Sequence, residues 1–363
     1  MSSHSKSTTP STPPTPAAAM QDVHVIGMQP LISPAQLKQE LAISDQAAAG
    51  VLRFRDTIKH IVLGQDDRML VIVGPCSIHD EEAAIAYAQR LAELSQRYAD
   101  RLVIAMRVYF EKPRTTTGWK GLIYDPHLND SFDIATGLRT ARRLMVRVAE
   151  LGLPIATEFL DPIVPQYIAD LVGWASIGAR TTESQTHRQM ASGLSMPVGY
   201  KNTTTGDVQP AINAMLSSRT PHAFLGIDPE GRTCVVQTTG NQWGHVVLRG
   251  GSGKPNYAAE HVMQVLYKLA EASLPQRVMI DCSHANSGKK HEQQEVVLRS
   301  VIQQRRAGTD GIMGLMLESN LQPGNQKLTA DLSQLKHGVS ITDACIGWDK
   351  TAQLLDEAYN TLA

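Results

Sequence analysis

Short apolar runs alternate with amphipathic stretches along most of this chain. Runs of strand length occur at 69–74 (MLVIVG), 102–110 (LVIAMRVYF), 154–159 (PIATEF), 174–179 (WASIGA), 196–200 (MPVGY), 222–227 (HAFLGI), 278–282 (VMIDC) and 312–317 (IMGLML). Between them, Tyr87, Leu91, Leu94 and Tyr98 repeat at helical spacing over 80–98. Leu138, Ala141, Met145, Val148 and Leu151 do the same over 135–151, where Gly152 and Pro154 supply a stop. Nearly continuous apolar strands separated by helices imply a parallel sheet covered on both faces. Eight is the number that closes a ring, so the pattern predicts an α/β fold, a (β/α)8 TIM barrel. An open doubly wound sheet is the alternative, but no G-x-G-x-x-G follows the first strand.

Three segments fall outside a minimal barrel. Residues 233–239 (TCVVQTT) and 244–249 (GHVVLR), separated by GNQW, read as a hairpin at about 233–249, inserted after the sixth strand. Residues 21–66 form an N-terminal extension ahead of a barrel at 67–363. In it VHVIGM (23–28) reads as a short strand, and Leu37, Leu41, Val51, Ile58, Ile61 and Val62 carry helical spacing. Extensions of this kind serve subunit or regulatory contacts. The first 20 residues are Ser/Thr/Pro-rich with no large apolar side chain between the initial Met and Met20, which predicts a disordered tail. That tail lacks the arginines of a transit peptide.

Composition narrows the function. With 34 Lys+Arg against 35 Asp+Glu in 363 residues, the chain lacks the basic excess of a nucleic-acid binder. No apolar run approaches the ~20 residues that span a bilayer. Cys76, Cys234, Cys282 and Cys345 are far apart, with no C-x-x-C pair, and no secretory leader pattern opens the chain. A cytoplasmic protein with reduced thiols is the expectation.

In a barrel, chemistry sits at the C-terminal ends of the strands. Those positions hold Cys76, Arg107, Lys112, Arg114, Glu158, Arg180, Lys201, Arg249, His284 and Glu318, with Asp343 beyond the last strand. Cys76, His284, Glu318 and Asp343 have the types of a mixed S/N/O divalent metal site. Taken singly, Cys76 also reads as a buried apolar residue, His284 as a hydrogen-bonded loop residue and Asp343 as a helix cap. Glu318 ends a buried strand and needs a cation or donor. The six cations Arg107, Lys112, Arg114, Arg180, Lys201 and Arg249 would repel one another without an anionic ligand, which predicts small substrates bearing phosphate and carboxylate groups. A solvated, ion-paired surface face is the competing reading.

GPCSIHD (74–80), MRVYFEKPRTTTGWKGLIYDP (106–126), IGARTTESQTHRQMASGLS (177–195), PVGYKN (197–202), HVVLRGG (245–251), DCSHANSGK (281–289) and SITDACIGW (340–348) resemble the metal-dependent, feedback-regulated class I 3-deoxy-D-arabino-heptulosonate 7-phosphate (DAHP) synthases. The resemblance runs from about residue 30 to the end; the N-terminal tail has no counterpart in it. It implies a transferase of the shikimate pathway, condensing phosphoenolpyruvate (PEP) with erythrose 4-phosphate and releasing phosphate. By motif it implies one divalent metal (Mn, Fe, Co, Zn or Cu) on Cys76, His284, Glu318 and Asp343. PEP would fall to Arg107, Lys112, Glu158, Ala179, Arg180, Lys201 and Arg249. Erythrose 4-phosphate would fall to Lys112, Pro113, Arg114 and Thr115, with Asp343 nearby. Catalytic roles would belong to Lys112, Cys76, Glu158, His284 and Asp343.

The resemblance also implies inhibition by an aromatic amino acid at Pro165, Gln166, Ser195, Phe224, Gly226 and Val236, in a homodimer or homotetramer. A hydroxyl at the position of Gly226 would crowd the para position of the effector ring, so glycine there favours tyrosine or tryptophan over phenylalanine. Tight packing is the competing reason for that glycine. Two alternatives to the synthase reading are a sister enzyme using arabinose 5-phosphate and a non-catalytic regulatory paralogue. The EKPRTTTGWKG loop favours the four-carbon sugar, and the complete metal and cation sets argue against a paralogue without activity.

Overall fold

A computed structural model describes residues 20–362; the predicted tail at 1–20 lies, apart from Met20, outside the described residues. Eight parallel strands close into a barrel in the order β1 (Met69–Gly74), β2 (Leu102–Arg107), β3 (Ile155–Glu158), β4 (Trp174–Ile177), β5 (Val198–Lys201), β8 (Gly244–Leu248), β9 (Val278–Asp281) and β10 (Ile312–Glu318). The ring shuts where β1 pairs with β10, Leu70 opposite Gly314. Every residue of these strands is buried, as a sheet covered by helices on one side and filled by side chains on the other requires.

A helix follows each barrel strand: α3 (Glu81–Arg97), α4 (Ile134–Glu150), α5 (Val164–Ile168), α6 (Gln185–Gly193), α7 (Gln209–Ser218), α8 (Ala259–Glu271), α9 (Gln294–Arg306) and α10 (Trp348–Thr361). Two more, α1 (Pro34–Glu40) and α2 (Asp45–Leu63), precede the barrel. Ser33 and Ser44 begin them by accepting the N–H of Gln36 and Ala47, the usual saturation of a helix start. Helix α2 ends at Gly64, φ 71°.

One face of α2 decides which end of the barrel is open. Phe54, Ile58, Ile61 and Val62 pack in one cluster with Leu70, Val103, Trp174, Val247, Met279 and Met313 from the strands. Four buried side chains at about 1.5–3 kcal/mol each make this a strong seal, and it closes the N-terminal end of the barrel. Inside, Gly199 leaves room for Trp174; a Cβ there would stand 2.5 Å from the indole and 2.7 Å from Val247. Gly199→Ala should therefore lower stability by about 1–3 kcal/mol through overpacking. A denaturant titration with an unchanged slope and a lower midpoint is the expected outcome.

The inserted hairpin is β6 (Ala223–Ile227) with β7 (Thr233–Gln237), not 233–249. The run at 222–227, expected as the sixth barrel strand, is the first hairpin strand, and 244–248 takes the barrel position between β5 and β9. Both runs are apolar, and the strands they form are each five residues long. The difference is that the hairpin alternates, with Leu225 78% and Val235 63% exposed, while β8 is buried throughout. The turn is Asp228-Pro229-Glu230-Gly231, where Asp228 accepts the N–H groups of Glu230 and Arg232. This is a stronger turn signal than GNQW.

Residues 20–32 belong to a unit separate from the one that begins at Ser33. The strand expected at 23–28 does not form there; the described part is turn and coil, with Val23, Ile26 and Met28 exposed. An apolar run with no strand to pair with has nowhere to place its backbone hydrogen bonds. All four cysteines are free thiols. No helix among the described residues is long and apolar enough to cross a membrane.

Candidate functional site

At the end of the barrel away from α2, Arg107, Glu158, Lys201, Asp281 and Glu318 are the last residues of β2, β3, β5, β9 and β10. Cys76, Ala179, Arg180, Arg249 and His284 come one to three residues beyond their strands. Arg249 thus follows the sixth barrel strand rather than ending the hairpin. Lys112, Pro113, Arg114 and Thr115 occupy the long loop between β2 and α4, and Asp343 the loop between β10 and α10. A cavity of about 190 Å³ lies among them. Seven cations line it, Arg107, Lys112, Arg114, Arg180, Lys201, Arg249 and Lys289, with Glu158, Gly178, Ala179, His284 and Asp343.

The floor is charged and buried. Arg107 is 1% exposed, and its guanidinium donates to Pro75 O (3.0 Å), Cys76 O (3.2 Å), Met316 Sδ (3.0 Å) and Glu318 Oε1 (2.9 Å). Its plane lies 3.6 Å from the centre of the Tyr109 ring. Lys112 Nζ reaches Cys76 Sγ at 3.2 Å and Cys76 O at 3.3 Å. Burial acts to lower its pKa, but Cys76 and Glu318 outweigh that and raise it, so Lys112 holds its proton. Burial pushes the Cys76 thiol up, and Glu318 adds to the shift.

One donor from each of Cys76, Glu318 and Asp343 lies within 4.8 Å of the other two. Sulfur and carboxylate oxygens at that spacing fit a borderline divalent ion. His284, expected with them, is outside this trio although it lines the same cavity. Its Nδ1 is 2.9 Å from Asp281 Oδ2 and 2.8 Å from Ser283 Oγ.

Asp281 is fully buried and also 3.3 Å from Lys201 Nζ, which in turn lies 3.7 Å from Glu158. Burial alone would raise its pKa, but His284 and Lys201 hold it well below the carboxylate range. Burial pulls Arg249 down and Arg180 adds to the shift, against the opposing pull of Asp281, Glu318 and Glu158. Asn202 braces it, accepting Arg249 N–H at 2.9 Å and donating to Gly250 O at 3.0 Å. Arg180 Nε donates to Thr115 Oγ1 at 3.2 Å.

Sequence reasoning missed Asp281, Lys289, Asn202 and Glu111. Asp281 obeys the same strand-end rule as Glu158 and Glu318, so its signal was present. Glu111, 2% exposed, accepts the N–H groups of Leu160 (3.2 Å) and Asp161 (2.9 Å) and the Tyr124 hydroxyl (3.2 Å). It ties the root of the Lys112 loop to the segment after Glu158, and burial pushes it up to about 8. Gly178 allows Glu158 its place, since a Cβ there would stand 2.6 Å from Glu158 Oε1.

The residues expected around an effector are dispersed over three elements. Pro165 and Gln166 lie on α5, Ser195 follows α6, and Phe224, Gly226 and Val236 share the less exposed face of the hairpin. Phe224 pairs with Val236 across the strands. A Cβ at Gly226 would stand 2.7 Å from Val236 Cγ2. Ser192 Oγ of α6 meets Thr238 Oγ1 beside the hairpin at 2.7 Å.

Residues 39–356 match the model of the DAHP synthetase I family. The chain is 50% identical over 344 residues to the Tyr-sensitive phospho-2-dehydro-3-deoxyheptonate aldolase of Escherichia coli, covering 95% of this chain and 96% of that one. It is 50% identical over 341 residues to the Phe-sensitive enzyme of the same organism, covering 94% and 97%. The structure of phospho-2-dehydro-3-deoxyheptonate aldolase from Francisella tularensis superposes with a TM-score of 0.91 at 46% identity, covering 93% of this chain and 98% of that one.

Proposed function

Because the chain belongs to the DAHP synthetase I family, a feedback-sensitive class I DAHP synthase of the shikimate pathway, we propose that the cavity at the open end of the barrel is where PEP condenses with erythrose 4-phosphate. The observation that carries this is the convergence of seven cations on one small cavity beside the Cys76, Glu318 and Asp343 donors.

The family uses a divalent metal, and Cys76, Glu318 and Asp343 fit it. His284 is the fourth donor in this reading: with Nδ1 engaged by Asp281 and Ser283, Nε2 is the coordinating atom, and Asp281 orients the ring. When bound, the ion supplies Lewis-acid polarisation of the sugar aldehyde. Arg107, Lys201, Arg180 and Arg249 hold the carboxylate and phosphate of PEP, with Ala179 N–H assisting. Arg114 and Thr115 hold the sugar phosphate beside Pro113. Carbon 3 of PEP bonds to the aldehyde carbon, and Lys112 gives its proton to the forming alkoxide. Water adds at carbon 2 with Glu158 taking one of its protons, and the C2–O bond to phosphate then breaks as the remaining hydroxyl proton passes to the departing phosphate, leaving the ketone. The cations neutralise the departing phosphate and fix both substrates in line.

The N-terminal extension (21–66) and the hairpin supply contacts in a homodimer or homotetramer, in the cytoplasm. Phe224, Gly226 and Val236, with Pro165, Gln166 and Ser195, bind an aromatic effector, tyrosine or tryptophan rather than phenylalanine. The absence of a side chain at Gly226 supports that choice.

Phosphate release from PEP plus erythrose 4-phosphate tests the reading. EDTA should lower turnover at least tenfold and Mn²⁺ restore it, with tyrosine or tryptophan inhibiting. Lys112→Met should lower turnover at saturating substrate by about 10²–10⁴-fold, the range for a general acid. No turnover with any divalent metal would overturn the assignment, and turnover only with arabinose 5-phosphate would move it to the sister reaction.

A further inference from the structure

We propose that Lys289 is a substrate-binding residue of this site, taking a phosphate group of one of the two substrates at the cavity mouth. The inference rests on the reaction assigned above but concerns a residue outside the six strand-end and loop cations that the sequence suggested.

The argument starts from backbone conformation. Turn 284–289 joins the end of β9 to the stretch before α9, and both of its ends are non-glycine residues in the left-handed region, His284 at φ 56° and Lys289 at φ 61°. That region is unfavourable for any residue with a Cβ. Lys289 N–H closes the turn on His284 O at 2.7 Å, and Gly288 N–H donates to Ala285 O at 3.1 Å. The two strained residues are also the two of this turn whose side chains line the cavity. Strain held at a site and aimed into it marks function.

Packing gives no other reason for Lys289. It is exposed, and among the described residues no carboxylate pairs with its ammonium. Arg107 and Lys201, by contrast, are held by Glu318, Glu158 and Asp281. A flexible stem with a movable, unneutralised charge suits capture of a phosphate entering from solvent. Because the turn also carries His284, a phosphate drawn onto Lys289 is delivered beside the metal donors.

The test separates charge from conformation. Lys289→Met should raise the KM for PEP or for erythrose 4-phosphate about tenfold, with a smaller change in kcat, and the substrate affected identifies the phosphate. Lys289→Arg should stay within threefold of the parent. Lys289→Gly accepts the left-handed backbone yet lacks the charge, so it should behave as the Met variant does. Lys290→Met, at the next exposed lysine, should change neither KM. Calorimetric titration of the metal-loaded proteins with inorganic phosphate and with PEP reads the same loss without turnover. A Met variant that keeps both KM values and both affinities, or a Gly variant that matches the parent, would overturn the role of Lys289. A parent that binds phosphate, loses that binding on Lys289→Met and yet does not turn over would overturn the assigned reaction and leave the phosphate site standing.

Discussion

Arg107→Leu is expected to abolish measurable activity and to lower stability by about 3–5 kcal/mol, the cost of leaving one member of a buried ion pair uncompensated. The charge left behind is Glu318, 2% exposed and 2.9 Å from the guanidinium. The same four contacts that carry Arg107 also fix the Cys76 carbonyl and Met316, so the metal trio and the PEP site lose a shared member. Arg107→Lys should recover little, because a single ammonium does not replace a fork reaching four partners. Chemical unfolding of the variant beside steady-state kinetics checks both halves. Near-normal kinetics would remove Arg107 from the site.

Asp281→Asn is expected to cost 10²–10³-fold in kcat/KM and to weaken metal binding 10–100-fold, the usual effect of removing the partner of a ligating histidine. Asp281 serves two groups at once. It lies 2.9 Å from His284 Nδ1 and neutralises Lys201 at 3.3 Å. An amide presents either its oxygen or its NH₂ to the ring, so the tautomer is no longer enforced, and Lys201 keeps only Glu158 at 3.7 Å. The stability consequence has a definite sign. The folded carboxyl lies well below its ordinary value, so its contribution is complete above the unfolded pKa near ~3.9 and lost as pH falls through the folded one. Subtracting the acid limb of the variant's stability curve from the parent's should isolate it, alongside a metal titration.

The barrel is legible in the chain because a strand covered on both faces must be apolar at every position, and eight such runs stand out. The count is right for a reason that conceals an error: 222–227 and 244–248 are interchangeable by hydropathy, and only the Asp228-Pro229 turn distinguishes a hairpin from a barrel strand. The strand at 23–28 fails for the complementary reason. Apolar alternation says which side chains avoid water but not whether a partner strand exists.

At the site, residues identified by their own chemistry at strand ends, Cys76, Arg107, Lys201 and Glu318, are where they were expected. Asp281 and Glu111 were not singled out, because their importance lies in what converges on them. Lys201 comes from a strand eighty residues earlier in the chain than Asp281, and Leu160 and Asp161 from a loop well beyond Glu111. No local spacing announces such meetings. His284, which the motif resemblance implied as a metal ligand, lines the cavity outside the donor trio, and no motif announced its closeness to Asp281.

Helix α2 precedes in the chain everything it seals. Its apolar face of Phe54, Ile58, Ile61 and Val62 meets side chains from β1 through to Met313 and Met316 of β10, and the ring itself shuts only when β1 finds β10. During synthesis the stopper is therefore made first and its socket finished last. Until residue 318 has left the ribosome, four large apolar side chains have no complete place to go. Contacts this far apart in sequence make folding slow, and a nascent chain of this kind depends on whatever shields exposed apolar surface in the meantime. A helix that makes the finished enzyme watertight at one end is, for the unfinished chain, its most exposed liability.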